Sequence, residues 1–328
     1  MTWGRPGARL VAIVAAAVAG LLAVSAASAV EGQATPPEVA IFYYPWWSTP
    51  AHDGNWVHWN LQGARPPGSV AADFYPARGP YSSADVRIVR AHMREIAALG
   101  VDTVVSSWWG FGSPEDARLP LVKREAERVG LGVAIHVEPF PGRTATTAAG
   151  AISSLAARGY RDFYVYDSTT ISDAQWKPAL AILEGVRVFA NTALVGRAVQ
   201  GGFDGFYTYD VFIYDGTQFR RTCKAAHARG LLCAPSVGPG YKATRATGDT
   251  RVQGREGGRR YDSLWRQATR AQPDLITITS YNEWHEGTQI EPARARPGYD
   301  SYEGAWGRTG QAAERAYLDR TRFWIGRL

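Results

Sequence analysis

VAIFYYPWWSTPAHDGNWVHWN, residues 39–60, joins a short apolar run to a segment dense in aromatics. VAIFYY has the length and side chains of a buried strand, and an open nucleotide-binding sheet would follow such a strand with a glycine-rich phosphate loop. Here PWWSTPAHDGNWVHWN stands in that place, and the chain contains no GxGxxG or P-loop string. The open doubly wound sheet is therefore disfavoured. Seven further runs repeat the pattern: TVVSSW (103–108), GVAIHVE (132–138), FYVYD (163–167), RVFAN (187–191), GFYTY (205–209), LLCAPSV (231–237) and LITITSY (275–281). All are rich in β-branched or aromatic residues, as strands are.

Helix signals fill the gaps. Ser82-Ser83-Ala84-Asp85 opens a helix stopping at Gly100, Ser113-Pro114-Glu115 opens one ending at Gly130, and Ser172-Asp173 opens one ending near Gly185. Others are expected over roughly 145–158, 216–229, 259–271 and 309–326, with a short one between the fifth and sixth strands. Alternating strands and helices give a parallel sheet clad in helices, and eight pairs give a single α/β domain, a closed (β/α)8 TIM barrel. In that architecture the active site lies at the C-terminal ends of the strands.

Composition limits the rest. Arg5 and Arg9 precede LVAIVAAAVAGLLAV, and Ala27-Ser28-Ala29 supplies a small-x-small cleavage pattern, so residues 1–29 read as a secretory signal peptide. Residues 30–37 read as a flexible linker and 38–328 as the catalytic domain. The protein is then expected outside the cell, an uncleaved membrane anchor being the alternative, with no stable membrane association after cleavage. The net charge of +6 comes from 36 basic and 30 acidic residues; losing Arg5 and Arg9 leaves +4, and the arginines are scattered. That argues against nucleic acid as a partner. The Gly- and Arg-rich stretch 251–260 reads as a mobile loop. Cys223 and Cys233 read as small buried side chains packing a helix on a strand, with a disulfide as the alternative.

The strand ends form a distinctive set. They offer Tyr43, Tyr44, Trp46 and Trp47, then Trp56, His58 and Trp59, then Trp108 and Trp109, His136 and Glu138, Tyr166 and Asp167, Tyr207 and Tyr209, Tyr241, and last Asn282, Glu283 and Glu286. Seven of the twelve tryptophans fall at these ends once Trp284 is included. Flat aromatic faces beside carboxylates and hydroxyls suit a sugar, whose C–H face stacks while its hydroxyls hydrogen-bond. Glu283 and Glu286, three apart after the last strand, are a candidate acid–base pair for glycosidic cleavage, although an ExxE alone is also common on exposed helices. His136 and Glu138 share a strand face but bring no third or fourth metal ligand. A serine triad lacks its GxSxG elbow. No cofactor or metal is expected.

The strings YYPWW, HWN, DFYPARGPYSS, SSWWG, HVEP, FYVYDS, GFDGFYTY, PSVGPGY and ITSYNEWHEGTQIE, in this order over residues 39–327, resemble glycoside hydrolase family 99, the endo-α-1,2-mannosidases and bacterial endo-α-1,2-mannanases. The resemblance implies a (β/α)8 barrel and retaining, endo-acting hydrolysis of internal α-1,2-mannosidic bonds in yeast-type mannan or high-mannose glycans. It implies that the substrate's own 2-hydroxyl attacks the anomeric carbon through a 1,2-anhydro sugar, with Glu283 as the base for that hydroxyl and Glu286 as the acid on the leaving oxygen. Such participation is chemically coherent, because a nucleophile already on the ring has a high effective molarity. By the same resemblance Tyr44, Trp47, His58, Glu138, Tyr207, Tyr209 and Asn282 would line the substrate site, and Tyr241 and Arg255 its leaving-group side. Trp109 would select a mannose-capped chain, since animal members carry Tyr there. The stretch after Tyr241 departs from the animal pattern. The expected partner is thus an α-mannoside polysaccharide or oligosaccharide acted on by a monomer. The alternatives are an α-glucan endo-hydrolase on the same fold and a non-catalytic mannan-binding protein.

Overall fold

The computed structural model describes residues 1–4 and 36–328. The expected signal peptide beyond residue 4, and the linker except its last two residues, lie outside the described residues. Residues 36–328 form one compact unit. Among the described residues no helix is long and apolar enough to cross a membrane.

Eight parallel strands form the barrel: β1 (Glu38–Tyr43), β2 (Thr103–Trp108), β3 (Gly132–Val137), β4 (Asp162–Val165), β5 (Arg187–Asn191), β6 (Gly205–Tyr207), β7 and β8 (Leu275–Ile278). β7 comes in two halves, Leu232–Ala234 pairing with β6 and Ser236–Val237 pairing with β8, and this closes the ring. The break is at Pro235, which has no N–H for the ladder but still accepts from Thr277 N–H at 3.1 Å. β1 joins β2 on one side and β8 on the other.

Alternation along β1 divides the interior. Ala40, Phe42 and Tyr44 face a small cluster inside the barrel with Val105, Ala134 and Tyr164, while Val39, Ile41 and Tyr43 join the larger core beneath the helices. At the N-terminal end Arg187 pairs with Asp162 and Glu38.

The helices follow the start signals. α1 (Val86–Ala97) is capped by Asp85, whose side chain accepts from Arg87 N–H, and α2 (Pro114–Glu127) is capped by Ser113 with proline in its first turn. Then come α3 (Ala145–Ala156), α4 (Asp173–Leu180), α5 (Val195–Gly201), α6 (Phe219–His227) and α7 (Arg259–Arg270). The expected single helix over 309–326 breaks at Arg315 into Gly310–Glu314 and α8 (Ala316–Ile325).

Two expectations need correction. Residues 251–260 are not simply a loop, because Val252–Gln253 pairs antiparallel with Tyr241–Lys242 and lays this hairpin over the C-terminal mouth. Cys223 on α6 and Cys233 on β7 are a disulfide rather than separate thiols, with Cα atoms 5.2 Å apart. Both are fully buried, so the bond holds helix to strand at the seam of the barrel.

Candidate active site

After β8 the chain enters a tight turn. Ser280 N–H donates to Thr288 O at 3.0 Å, Ile290 N–H to Ser280 O at 2.9 Å and Glu291 N–H to Tyr281 O at 2.8 Å. Gly287 allows it, with φ +65°, and a Cβ there would stand 2.6 Å from Lys242 O. Lys242 N–H in turn donates to Glu286 O at 2.7 Å, fixing the turn to the 241–253 hairpin.

This turn delivers both glutamates to the barrel mouth. Glu283 is almost closed off, and its Oε1 accepts the His285 backbone N–H at 2.9 Å. Glu286 is half-buried and opens on a cleft of ≈ 90 Å³ walled by Tyr166, Tyr209, Asp210, Tyr241 and Arg251. Tyr209 OH reaches Glu286 Oε2 at 3.2 Å and shares a hydrogen bond of 2.5 Å with Tyr44 OH. A second cleft of ≈ 240 Å³ lies on the other side of Tyr241, bordered by Lys242, Gln253, Arg255 and Asp300.

Burial dominates the electrostatics. It drives Glu283 well above the ordinary carboxylate value, and the neighbouring Glu286 adds to this, while the backbone amides of His285 and Glu286 oppose it. Glu286 is pushed up to about 7, first by burial and next by Asp210, with the Tyr209 hydrogen bond pulling it down. In the free site, then, the pair holds on to a proton near neutrality. A base at Glu283 needs that proton on Glu286, and hydroxyls donating to Glu283 would favour its ionised form.

His58 and His285 flank the mouth as neutral rings. Burial lowers His58 to about 3, helped by His285 and Arg118, and lowers His285 to about 4. His58 adopts φ +68° and lies parallel to Trp46 at 4.9 Å, which also stacks on His285 at 5.6 Å.

The sequence-predicted residues divide into three groups. Tyr209, Glu286 and Tyr241 line the cleft, and Tyr44 and Glu283 lie buried behind them. Glu138 lies close behind, buried, accepting from Ser107 Oγ at 2.8 Å with His136 Nδ1 3.0 Å away, and its charge acts on both catalytic candidates. Others stand back from the cleft. Trp47 is fully buried and packed on Trp59 at 3.9 Å, and Tyr207 is fully buried with its hydroxyl on His136 Nε2 at 2.9 Å. Asn282 is also fully buried: its Oδ1 accepts Tyr44 N–H at 2.8 Å, and its Nδ2 donates to Tyr44 O at 3.0 Å and Tyr81 OH at 3.2 Å. All three are sealed from the cleft in this structure, with Trp47 Nε1 left without a hydrogen-bond partner.

Arg255 is both wall and buttress. Its guanidinium lies among Phe74, Tyr302 and Tyr317 at 4.5, 4.6 and 4.6 Å, and Nη2 donates to Gly287 O and Gln289 O. Trp109 lines a separate groove of ≈ 600 Å³ with Phe111 and Phe140. The expected HxE pair stays a pair: among the described residues no three His, Cys, Asp or Glu side chains converge as metal ligands would.

Sequence reasoning passed over Asp210, Phe212 and Arg251. Arg251 Cζ sits 5.1 Å over Phe212 and 5.9 Å over Tyr241, roofing the cleft, while its side chain pairs with Asp249. For Asp210 and Phe212 the signal is the run of charge and aromatics in YDVFIYD after the sixth strand, and for Arg251 the Gly- and Arg-rich stretch 251–260, which reads only as a loop. Trp46 was named as a strand-end residue, yet it and not Trp47 keeps exposed surface at the mouth.

Barrel, strand-end carboxylates and aromatic walls together define a glycosidase of the (β/α)8 type. The model of "Glycosyl hydrolase family 99" matches residues 37–328, so this chain belongs to that family. It is 34% identical to a glycoprotein endo-alpha-1,2-mannosidase-like protein of Danio rerio, over 78% of this chain and 71% of the relative. With the glycoprotein endo-alpha-1,2-mannosidase of Xenopus laevis it shares 31% identity, over 88% and 77%. The solved GH99 endo-alpha-mannosidase from Bacteroides thetaiotaomicron superposes with a TM-score of 0.78 at 29% identity, over 88% of this chain and 97% of that one.

Proposed function

We propose that this chain is a secreted, monomeric, retaining endo-α-1,2-mannosidase acting on mannan-type or high-mannose glycans. The observation that carries the reading is the pair Glu283 and Glu286, both raised, at the mouth of a family 99 barrel. Glu283, held by the His285 N–H, removes the proton of the substrate's 2-hydroxyl. That oxygen attacks the anomeric carbon as Glu286 protonates the departing oxygen, leaving a 1,2-anhydro sugar. Glu286, now ionised, accepts a proton from water, which opens this ring as Glu283 returns its proton to the 2-oxygen.

The resemblance at Trp109 favours a mannose-capped substrate, although that ring lines a groove beside the cleft and not the cleft itself. The disulfide supports export, since such bonds persist in oxidising compartments, and the signal pattern of residues 1–29 points the same way.

The deciding experiment incubates the protein with yeast mannan and a panel of α-linked glucans, sizing products and following their anomeric configuration by NMR. Release of α-1,2-linked oligosaccharides with retained configuration is expected. Binding without release identifies a mannan-binding protein, and release from glucan alone identifies a glucanase; either overturns the proposal.

A further inference from the structure

Behind the catalytic turn lies a buried polar cluster that no chemical step uses. Its centre is Tyr81, on the long loop after β1 and almost wholly buried. Tyr81 OH donates to Glu291 Oε2 at 2.7 Å and accepts from Asn282 Nδ2 at 3.2 Å and Trp284 Nε1 at 3.3 Å. Glu291 is fully buried and its Oε2 also accepts Trp284 Nε1 at 2.9 Å. His92 of α1, fully buried too, bonds Tyr43 OH at 3.1 Å and puts Nε2 3.1 Å from Glu291 Oε1, a close approach off the line of a hydrogen bond.

Two neighbours of this cluster, Asn282 and Trp284, lead to the site. Asn282 clamps both backbone groups of Tyr44, Tyr44 OH bonds Tyr209 OH, and Tyr209 OH bonds Glu286. Glu283 sits between Asn282 and Trp284 in the chain, so fixing those two side chains fixes the backbone that carries it. The alternative role here would be plain core packing, but an apolar residue would fill the space without leaving buried polar atoms to be satisfied. A buried carboxyl group held by two donors is costly to leave without them, and this makes the turn intolerant of small displacements.

We propose that Tyr81 and Glu291 are positioning residues for hydrolysis, aligning Glu286 through Asn282, Tyr44 and Tyr209 and Glu283 through the turn backbone. The inference rests on the reading of Glu283 and Glu286 as catalytic. It is a mechanical linkage, because the Tyr44 ring separates the two hydrogen-bonded ends and no proton passes along it.

The test uses the full chain and an α-1,2-linked mannotetraose. Glu283→Ala and Glu286→Ala are measured first; if either keeps wild-type turnover, the catalytic reading fails whatever Tyr81 does. With both inactive, Tyr81→Phe removes one hydroxyl. It should lower kcat roughly 10- to 100-fold with KM within about twofold, the pattern of lost alignment rather than lost binding. On an α-mannobiosyl fluoride, whose leaving group needs no proton, the kcat/KM deficit should shrink. Unchanged kcat overturns the proposal, and equal deficits on both substrates overturn the alignment of Glu286, because the fluoride dispenses with the acid but not with the base. Should Tyr81→Phe fail to fold by near-UV circular dichroism, Glu291→Gln, which keeps an acceptor for Trp284 and Tyr81, decides on the same two readouts.

Discussion

Tyr209 donates its hydroxyl to Glu286 Oε2 across 3.2 Å while bonded to Tyr44, so one phenol joins the half-buried carboxyl to the inner wall of the barrel. This bond favours the ionised carboxylate and opposes the rise caused by burial and Asp210. In Tyr209→Phe the Glu286 value should therefore climb above about 7. An acid that stays protonated longer moves the alkaline limb of the kcat/KM profile upward, while kcat should fall roughly 10- to 100-fold. A profile from pH 4 to 9 checks both the direction and the loss.

The same raised value affects stability. Folded Glu286 titrates near about 7 against an ordinary 4.5, so between those pH values the folded chain keeps a proton that the unfolded chain has released. Stability should fall as pH rises through this window. Glu286→Gln removes the effect and should stabilise the protein by about 1–2 kcal/mol at pH 8 but not at pH 4, a modest figure because the carboxyl is open to the cleft. Urea unfolding of both proteins at the two pH values measures it.

Gly287→Ala should damage both fold and catalysis. An alanine at φ +65° is strained by about 1–2 kcal/mol, and its Cβ would meet Lys242 O at 2.6 Å. Relief must move the Glu286 carbonyl held by Lys242 N–H. Activity should fall more than stability, which paired kcat/KM and denaturation measurements test.

The two adjacent tryptophans should separate. Trp47→Ala empties a fully buried site and should cost about 3–5 kcal/mol of stability. Trp46→Ala, at the mouth against His58 and His285, should raise KM for long mannosides and leave stability closer to wild type.

Cys223→Ala with Cys233→Ala should lower stability by about 2–3 kcal/mol, since the bond closes a loop of sequence separation 10. Turnover at low temperature should persist, because neither sulfur reaches the cleft. Thermal unfolding with and without reductant distinguishes wild type from the double variant.

Much of this was legible in residue order. The eight runs locate the eight strands because side-chain alternation and length are local properties, and Ser113 and Asp85 announce the helices they cap. Glu283, Glu286 and Tyr209 could be singled out because their strands end at the mouth. What failed was the orientation of neighbours. Trp46 and Trp47, or Tyr207 and Tyr209, are equally plausible in sequence, and only the twist of the barrel and the packing of Trp59 or His136 decide which ring is sealed. The disulfide and the 241–253 hairpin depend on contacts that no local pattern encodes.

Pro235 has one last consequence. The ring is joined at β7 by two halves of three and two residues, the two-residue half making the shortest ladder in the barrel, and the proline withholds a donor between them. If the cylinder opens, it should open there, like a garment at its fastening, with the Cys223–Cys233 bond as the stitch beside the gap. Amides of residues 232–237 should exchange with solvent sooner than those of β2 and β3, and sooner still once the sulfurs are reduced.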